Sequence, residues 1–416
     1  MTPVSPRQNG ASSHAAGYLL QKPGLFFLLG TLLVAAWAGQ IPIVMLSSLF
    51  LSAALLAKLW SRLSLAGVTF SRTLKEERLF PGESTEIRIR ITNRKLLPLP
   101  WFQIEQELPL DLCEDMDPKG SSRPGHGLLR MEGSLLWYRT LQWSSRLTCN
   151  RRGYYTIGHL RFSSGDTFGL YSYSTDAPLS NQVIVYPRIF PLGKLQIPSL
   201  QPMGESRTLR RAFQDPTRTI GVRDYRYGDS LRHIHWKASA RSRHLQVRVF
   251  EATTSFKVAL FLSVESFYRE KSLAEEDFEL ALSTAASVAH GVVNRGGPVG
   301  LFVNTRAADS GQAVSVAPGG SRDQLPLLLE MLARVTNSVI EPFERFLERE
   351  RGRLPAGTTL VLLFGKPPES LSTMVAALKA SGYRLLVLLV GDQRDVPAQE
   401  GITWVNIRSP HDFGPG

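Results

Sequence analysis

The chain has 416 residues, which is enough for two or three domains of ordinary size. Hydrophobic residues make up 43% of it, so sizeable cores can form and broad disorder is excluded. The formal net charge of +12 favours an anionic partner: nucleic acid, lipid headgroups or an acidic protein. Two cysteines, Cys113 and Cys149, exclude a disulfide framework and a cysteine-based metal cluster, and we expect no cofactor.

An apolar run near the N-terminus predicts a membrane anchor. Within residues 24–60 only Lys58 is charged, and one helix of that length would far exceed a hydrocarbon core of about 30 Å. The turn signal Gly39-Gln40-Ile41-Pro42 divides the run near its middle. We therefore expect a hairpin of two short transmembrane helices, preceded by a cytoplasmic tail of residues 1–23.

Basic residues on both sides of this hairpin predict its orientation. Arg7 and Lys22 precede it, and no acidic residue does. The basic residues at its other end are Lys58, Arg62, Arg72 and Lys75. The positive-inside rule therefore predicts a multi-pass protein of the inner (cytoplasmic) membrane, with both its N-terminus and its C-terminal domains in the cytoplasm. The alternative interpretation of the first apolar stretch is a cleaved signal peptide.

Residues 65–195 contain short alternating stretches. Polar and apolar residues alternate with a period of two in Glu86–Thr92, as a half-buried strand requires. Further strands are predicted at Trp101–Glu105, Leu141–Cys149, Gly158–Phe162 and Val183–Tyr186. Short strands at this spacing predict a β-sandwich.

Asp166 lies in a glycine-rich turn of this region. It is either a ligand or catalytic carboxylate, or an Asx-turn residue that caps the bend with Phe168 packed into the core. We favour the turn, because such residues are common in bends for this structural reason.

The densest charged and aromatic stretch lies in residues 196–250, a predicted linker segment. Between Glu205 and Phe250, ten Arg and one Lys oppose four acids, so more than half of the net charge is concentrated here. The candidate binding residues are Arg223, Tyr225, Gly228, Asp229, Arg232, Trp236, Lys237 and Arg241. We expect a turn at Gly228-Asp229, with the Asp229 carboxylate paired to Arg232 or Arg241.

Several functions remain open for this motif. It can be a buried ion-pair network that pins a loop between domains, or a docking surface for an acidic partner. Asp229, His235 and Lys237 can instead serve acid–base chemistry in an enzyme of unknown class. The sequence has no catalytic serine motif, no His-Glu-x-x-His and no phosphate-binding glycine loop, so no catalytic residue is assigned. Binding of anionic lipid or nucleic acid by the arginines is a further alternative, with nucleic acid the weaker one.

Residues 251–410 alternate between apolar runs and helical patterns. The predicted strands are Val258–Val264, Val299–Asn304, Thr359–Phe364, Leu385–Val390 and Ile402–Asn406. Helices are predicted at Glu275–Asn294, Asp323–Thr336 and Ser370–Ser381. This alternation predicts a doubly wound α/β sheet, with Glu265, Ser266 and Lys366 at the carboxyl ends of its strands.

The motif closely resembles the hallmark of the bacterial and archaeal family named "domain of unknown function fifty-eight". The matching positions are Tyr225, Gly228, Asp229, Arg232, Ile234, Trp236, Lys237, Ala240 and Arg241. The stretches Arg152–Tyr154, Asp166–Leu170 and Val185–Arg188 also resemble the family, although Thr167 stands where it more often has proline. The resemblance covers nearly the whole chain. It implies two membrane spans, a von Willebrand factor A-like C-terminal domain and an accessory role beside a MoxR-type AAA+ ATPase.

Such A-like domains often bind Mg²⁺ through an Asp-x-Ser-x-Ser turn after the first strand. Here the matching place begins with Ser263, has Glu265 where the first serine is expected, and continues with Ser266. Lys366 follows the Thr359–Phe364 strand and would repel a cation. We therefore expect no metal, and a membrane-anchored adaptor that binds a protein partner and is not an enzyme.

Overall fold

The computed structural model divides the protein into two compact units, Met1–Tyr186 and Pro187–Gly416. The residues that the structure describes are 22–112, 125–192, 214–227, 229–252, 257–269, 272–355, 357–391 and 403–413. The predicted multi-domain organisation is confirmed. Cys113, Gly228 and nearly all of the predicted tail, residues 1–23, lie outside the described residues.

Two apolar helices open the first unit: α1 (Lys22–Trp37) and α2 (Ile41–Ser64). Gly39 joins them with a φ of 67°, which glycine adopts without steric cost. Among the described residues, α2 is the one helix long and apolar enough to cross a membrane, whereas α1 is apolar but shorter. One candidate span is therefore present, and the second predicted span stays a prediction.

The two helices expose their large apolar side chains and bury small ones. Phe26, Trp37, Ile41, Met45 and Leu56 are all exposed. The buried residues of α2 are Ser47, Ala54, Ala57, Ser61 and Ser64. Because exposed apolar area is unfavourable in water, this distribution favours an apolar environment around the helices.

The remainder of the first unit is rich in strands. Those in its described part are β1 (Val68–Leu74), β2 (Arg78–Leu79), β3 (Ser84–Asn93), β4 (Leu99–Pro109), β5 (His126–Leu135), β6 (Thr140–Thr148), β7 (Gly153–Ile157), β8 (Leu160–Gly165), β9 (Ser172–Ala177) and β10 (Asn181–Val185). They form sheets of order β1-β3-β6, β2-β10-β7 and β5-β4-β8-β9. Each pair is antiparallel except β2 with β10.

Two of these sheets share a core. Ile89 and Ile91 from β3 are buried with Phe102 and Ile104 from β4 and with Phe162 from β8. The rings of Phe102 and Phe162 stack with their centroids 5.6 Å apart. The inward residues alternate with outward ones along β3, as the period of two predicts. Two antiparallel sheets thus pack through their apolar faces, which is the arrangement of a sandwich.

A buried arginine joins all three sheets. The Arg72 guanidinium on β1 donates to Gln106 Oε1 on β4 (2.6 Å) and to Asn181 Oδ1 on β10 (2.7 Å). It also donates to the carbonyl oxygens of Ile157 (2.7 Å) and Gly158 (2.8 Å) at the end of β7. Desolvation lowers the pKa of Arg72 to about 10. All four acceptors are uncharged, so peptide and amide dipoles stabilise this charge.

Asp166 organises the turn between β8 and β9. Its buried carboxylate accepts hydrogen bonds from the N–H groups of Phe168 (2.9 Å), Leu170 (3.3 Å) and Tyr171 (2.6 Å). The turn-forming role of Asp166 is confirmed. The expectation that Phe168 packs into the core is wrong, since its side chain is 75% exposed. The turn closes around the carboxylate and leaves this ring outside.

The described part of the second unit contains a seven-stranded mixed sheet and two separate pairs of antiparallel strands. Its described strands are β11 (Gln214–Asp224), β12 (Gln246–Ala252), β13 (Val258–Leu262), β14 (Tyr268–Arg269), β15 (Ser272–Leu273), β16 (Val299–Ala307), β17 (Ala313–Gly319), β18 (Val335–Val339), β19 (Thr359–Phe364), β20 (Arg384–Val390) and β21 (Thr403–Ile407). Its described helices are α3 (Trp236–Ser242), α4 (Glu275–Asn294), α5 (Gln324–Ala333), α6 (Phe343–Arg351) and α7 (Leu371–Ala380).

The large sheet has the order β17-β16-β13-β19-β20-β21, and β18 also pairs with β16. Strands β16, β13, β19, β20 and β21 are parallel to one another, whereas β17 and β18 are antiparallel to β16. Every residue of β13 and β19 is buried, as in a sheet covered on both faces. The order reverses between β13 and β19, and ligands of such sheets bind at the carboxyl ends of the strands beside that point.

The predicted helix Glu275–Asn294 is confirmed as α4, with three acidic residues in its first turn. The helix predicted at Asp323–Thr336 is too long, because α5 ends at Ala333 and the chain continues as β18. Val335 and Thr336 are β-branched and favour a strand over a helix.

We predict that Arg72→Met destabilises the first unit by about 3 kcal/mol or more. The substitution leaves several buried oxygens without a hydrogen-bond donor, and each such oxygen costs about 1–3 kcal/mol. Hydrogen exchange of β7 and β10 should become faster, while peptides from α4 serve as an internal reference. Arg90→Met removes the same charge from an exposed position on β3 and is the control. Unchanged protection in Arg72→Met would contradict the role given to this side chain.

Candidate functional site

The arginine-rich motif forms the end of a β-hairpin. Strands β11 and β12 pair antiparallel, with Arg223 opposite Val247 and Asp224 opposite Gln246. The connection between them contains α3. The predicted linker is therefore, in its described part, a strand–helix–strand unit that belongs to the second half of the chain.

Asp229 is held by Arg223 in a bidentate contact. Arg223 Nη1 and Nη2 donate to the two carboxylate oxygens of Asp229, both at 2.7 Å. The N–H of Arg226 donates to Asp229 Oδ2 at 2.9 Å. The prediction that Asp229 pairs with Arg232 or Arg241 is wrong. The turn at Arg226 folds the carboxylate back onto the end of β11, where Arg223 lies.

These contacts determine the charge state of Asp229. The hydrogen bond from Arg223, assisted by the N–H of Arg226, lowers the pKa of Asp229 to about 2. The carboxylate is thus ionised at neutral pH and both of its oxygens are already bonded. This geometry suits a loop-shaping residue and not a general acid.

His235 has a separate structural role. Its Nδ1 accepts a hydrogen bond from the N–H of Ala238 at 3.1 Å, so it caps the start of α3. The contacts of Asp229 and His235 within the described structure go to different groups, and Lys237 is exposed nearby in sequence. The motif therefore lacks the mutual contact that an acid–base pair requires.

Most of the remaining motif residues face solvent. Trp236 is 69% exposed, and Arg232, Lys237 and Arg241 are exposed as well. Tyr225 is half-buried, and its N–H continues the hairpin by donating to the carbonyl of Leu245 at 2.8 Å. The interpretation as a buried ion-pair network is therefore wrong for these side chains, because the loop presents its cations and indole outward.

Sequence reasoning missed two contributors to this loop. Tyr227 is fully exposed beside the Asp229 turn, and Leu231 is exposed in the short 3₁₀ turn before α3. Ile234 is buried and bridges to Val247, which fixes the loop to β12. The sequence signal that could have revealed Tyr227 and Leu231 is the presence of large apolar residues within a cationic stretch.

The second candidate site lies at the carboxyl ends of β13 and β19. Ser266 Oγ donates to the carbonyl of Ser263 (2.7 Å) and accepts from the N–H of Gly365 (2.9 Å). The N–H of Lys366 donates to the Ser266 carbonyl at 2.8 Å. A Cβ on Gly365 would lie 2.7 Å from the ring of Phe267, so only glycine permits this approach. Ser266 thus fastens the ends of the two strands together.

Asn304, buried in β16 just after the residues that pair with β13, was also missed. Its Oδ1 accepts from the N–H of Val264 (2.8 Å), and its Nδ2 donates to the Glu341 carbonyl (3.2 Å). Glu265 Oε1 accepts from the N–H of Phe343 at the start of α6 (2.7 Å). Desolvation raises the pKa of Glu265, an effect that this hydrogen bond opposes. The sequence signal that could have revealed Asn304 is a polar residue directly after the apolar run Val299–Val303.

These residues do not fit a Mg²⁺ site. Ser263 is buried, the Ser266 hydroxyl is bonded on both sides, and Glu265 is directed to the start of a helix. Magnesium requires near-octahedral oxygen ligands and favours carboxylates. Within the described ranges, there is also no cluster of three or more His, Cys, Asp or Glu side chains suited to a metal.

We predict that the Asp229 carboxyl titrates with a midpoint of about 2, and that Arg223→Gln moves the midpoint toward 3.8. Because the folded pKa is depressed, the contribution to loop stability is complete above the unfolded pKa and is lost as pH falls through the folded value. ¹³C NMR of labelled aspartate measures the midpoint. Arg226→Gln is the control, since Arg226 acts mainly through its backbone N–H. An equal shift of the Asp229 midpoint in both variants would refute the bidentate contact with Arg223.

We also predict that Mg²⁺ titrated into the purified chain gives no saturable heat, because the candidate oxygen ligands are engaged in protein hydrogen bonds. Isothermal calorimetry with the wild type and Ser263→Ala provides the measurement. Saturable binding in the wild type that is abolished in Ser263→Ala would overturn this expectation.

Comparison with known proteins bears on both sites. The family model described as "Protein of unknown function DUF58" matches residues 221–348. The chain is similar to "Uncharacterized protein YeaD" of Bacillus subtilis (strain 168), with 25% identity over 306 residues, 73% of this chain and 71% of that protein.

Among solved structures, a β-glucosidase from Listeria innocua is 16% identical over 28% of this chain and 16% of that one, with a TM-score of 0.16. The sporulation control protein Spo0M of Bacillus subtilis is 9% identical, covering 29% of this chain and 50% of that one, with a TM-score of 0.18. The chain thus spans half or less of these two structures, and scores this low carry no argument. The family match contains the exposed loop and the rim of β13, so residues 221–348 of this chain are similar to the DUF58 family of proteins of unknown function.

Proposed function

We propose that the protein is a membrane-anchored adaptor that binds an acidic protein partner through the basic–aromatic loop, residues 225–241. The observation that carries the proposal is the outward exposure of Trp236 among arginines and lysine. Trp, Tyr and Arg are the residues most enriched at binding hot spots. An exposed indole and phenol on a loop fixed by its own ion pair supply contact area at little entropic cost.

The shape of the loop supports a protein partner over a polyanion. Leu231 and Tyr227 are exposed beside the cations, so the surface is mixed apolar and basic. Protein interfaces combine an apolar centre with a charged rim. Binding of nucleic acid or of anionic lipid by charge alone would instead weaken steeply with salt.

The second unit is the proposed platform for this loop. A von Willebrand factor A-like body is supported by its strand order, which reverses at β13 and β19. The rim at that point is closed by the contacts of Ser266 and Asn304. A rim whose polar groups are satisfied internally suits a scaffold better than a metal-dependent ligand site.

The first unit supplies the proposed anchor. Helix α2, with α1 as a second span, holds the protein in the inner membrane, and the cations Lys58 and Arg62 support a cytoplasmic position for the body. The proposed partner is a MoxR-type AAA+ ATPase, a choice that rests on the family resemblance. A fusion reporter after Gly416 that is active only outside the cytoplasm would reverse the orientation.

We predict that Arg232→Ala and Trp236→Ala each weaken partner binding by about 2 kcal/mol, or roughly 30-fold, as expected for hot-spot residues. Full-length wild type and variants are purified from membranes, and copurifying proteins are identified by mass spectrometry. Arg345→Ala, which removes another exposed arginine from α6, outside the loop, is the matched control.

The wild type and Arg345→Ala should retain a MoxR-type ATPase that both loop variants lose. Equal recovery from all four samples would remove the loop from the interface. Absence of the ATPase from every sample would count against the partner.

A further inference from the structure

Four large side chains are exposed on two neighbouring loops of the first unit. Leu96 lies between β3 and β4 and is 74% exposed. Leu136, Trp137 and Tyr138 lie between β5 and β6 and are 56%, 54% and 63% exposed. These four residues are named the two-loop patch. Exposed apolar residues clustered in this way mark an interaction surface more often than scattered ones do.

Asn93 joins the two loops into one surface. Its buried Nδ2 donates to the carbonyls of Leu97 (2.9 Å) and Leu136 (3.1 Å), and its N–H donates to the carbonyl of Arg139 (3.0 Å). Tyr138 has a φ of 53°, which is rare for an aromatic residue. The loops are therefore held in a fixed conformation while their large side chains stay outside.

The two-loop patch is tied directly to the end of α2. Lys95, next to Leu96, donates from Nζ to the carbonyls of Leu63 (2.7 Å), Ser64 and Ala66 (2.6 Å). These are carbonyls at and just after the last turn of the helix, which a lysine commonly satisfies. The N–H of Arg94 also donates to the carbonyl of Gly67 at 2.9 Å. The loops therefore lie at the level where the chain leaves α2.

Helix geometry places that level near a membrane surface. Lys58 is the first charge in α2, and at 1.5 Å per residue Ser64 lies about 9 Å beyond it. The headgroup layer on each side of a bilayer is about 5–8 Å deep, from total and hydrocarbon thicknesses of about 40–45 and 30 Å. The indole of Trp137 and the phenol of Tyr138 are long enough to bridge this small difference.

The chemistry of the patch fits this layer. Trp and Tyr are the residues enriched at membrane–water interfaces, because an apolar ring and a polar N–H or O–H suit the two sides of that boundary. Arg94 and Arg139 are exposed close to the patch in sequence, and Arg62 is exposed in the last turn of α2; such cations complement phospholipid phosphates. The apolar outer surface of α2 continues toward the patch through Leu59 and Leu63, which are both exposed.

We infer that the two-loop patch rests in the phospholipid headgroup layer of the same bilayer that α2 enters, so that the strand body is docked on the membrane. The inference rests on the proposed membrane insertion of α2. It adds a second, loop-borne contact with lipid that the helices alone do not supply.

Depth-dependent quenching of tryptophan fluorescence tests the inference with the full-length protein. The protein is reconstituted into vesicles of phosphatidylethanolamine and phosphatidylglycerol in equal parts. These vesicles carry either a headgroup spin label or lipids brominated near the chain ends. Comparing the wild type with Trp137→Phe gives the contribution of Trp137, and Trp37→Phe does the same for the end of α1. Trp143→Phe is the control, since Trp143 is exposed on β6 about 10 Å along the strand from the start of β6.

The headgroup label should quench the fluorescence of Trp137 at least about twofold more strongly than that of Trp143, as expected for an aromatic residue at the interface. The substitution Tyr138→Ser with Leu96→Ser should reduce that quenching and leave Trp37 unchanged. Equal quenching of Trp137 and Trp143, with Trp37 still quenched from within the bilayer, would overturn the docking and leave the anchor intact. If neither probe quenches Trp37 and an alkaline wash extracts the protein from the vesicles, both the docking of the patch and the proposed membrane insertion of α2 would be overturned.

Discussion

The bidentate contact between Arg223 and Asp229 determines what the arginine-rich loop presents to its surroundings. It pairs Asp229, the one acid in residues 225–241, with Arg223, the last arginine of β11, so both oxygens of this carboxylate are engaged. Because the pair is exposed and screened by solvent, its main effect is on conformation and not on global stability. A loop with this internal constraint keeps its aromatic and basic side chains outside in a defined arrangement.

Polar side chains at the carboxyl ends of the large sheet are likewise engaged in hydrogen bonds within the protein. Ser266 uses both the proton and a lone pair of its hydroxyl on backbone partners, and Asn304 uses both ends of its amide. In a related site built for a cation, oxygens at these positions would have to stay available. Here they join three neighbouring segments, so the rim is rigid, and we propose that a partner binds to the hairpin loop instead.

Much of the fold could be predicted because it is encoded locally. The 20 residues of α4 and the six of β19 coincide with their predicted limits, since amphipathic periodicity and a fully apolar run need no distant partner. The alternation in β3 predicted its two faces for the same reason. The end of α5 was misplaced because a helical pattern continues into β-branched residues, and the β16 partner of Val335 is Ala307, 28 residues earlier in sequence (335 − 307).

What could not be predicted depends on three-dimensional contacts. Arg72 was counted among the basic residues that flank the membrane helices, yet it lies inside the strand body, bonded to acceptors from residues 106 to 181. The partner of Asp229 was assigned forward along the chain, whereas the turn directs the carboxylate backward. Phe168 was placed in the core from its apolarity alone, although three N–H groups close the turn without it.

The connection between α2 and β1 consists of Leu65, Ala66 and Gly67, and Lys95 clamps its beginning. Three residues span at most about 10 Å, so the strand body has almost no slack relative to the helix. A mechanical load applied to the strands would therefore be transmitted to α2 without first extending a spacer. With α2 in a bilayer, as we propose, this stiff coupling would transmit a pulling or twisting force between the strand body and the membrane, and it would keep any partner of the strand body close to the membrane surface.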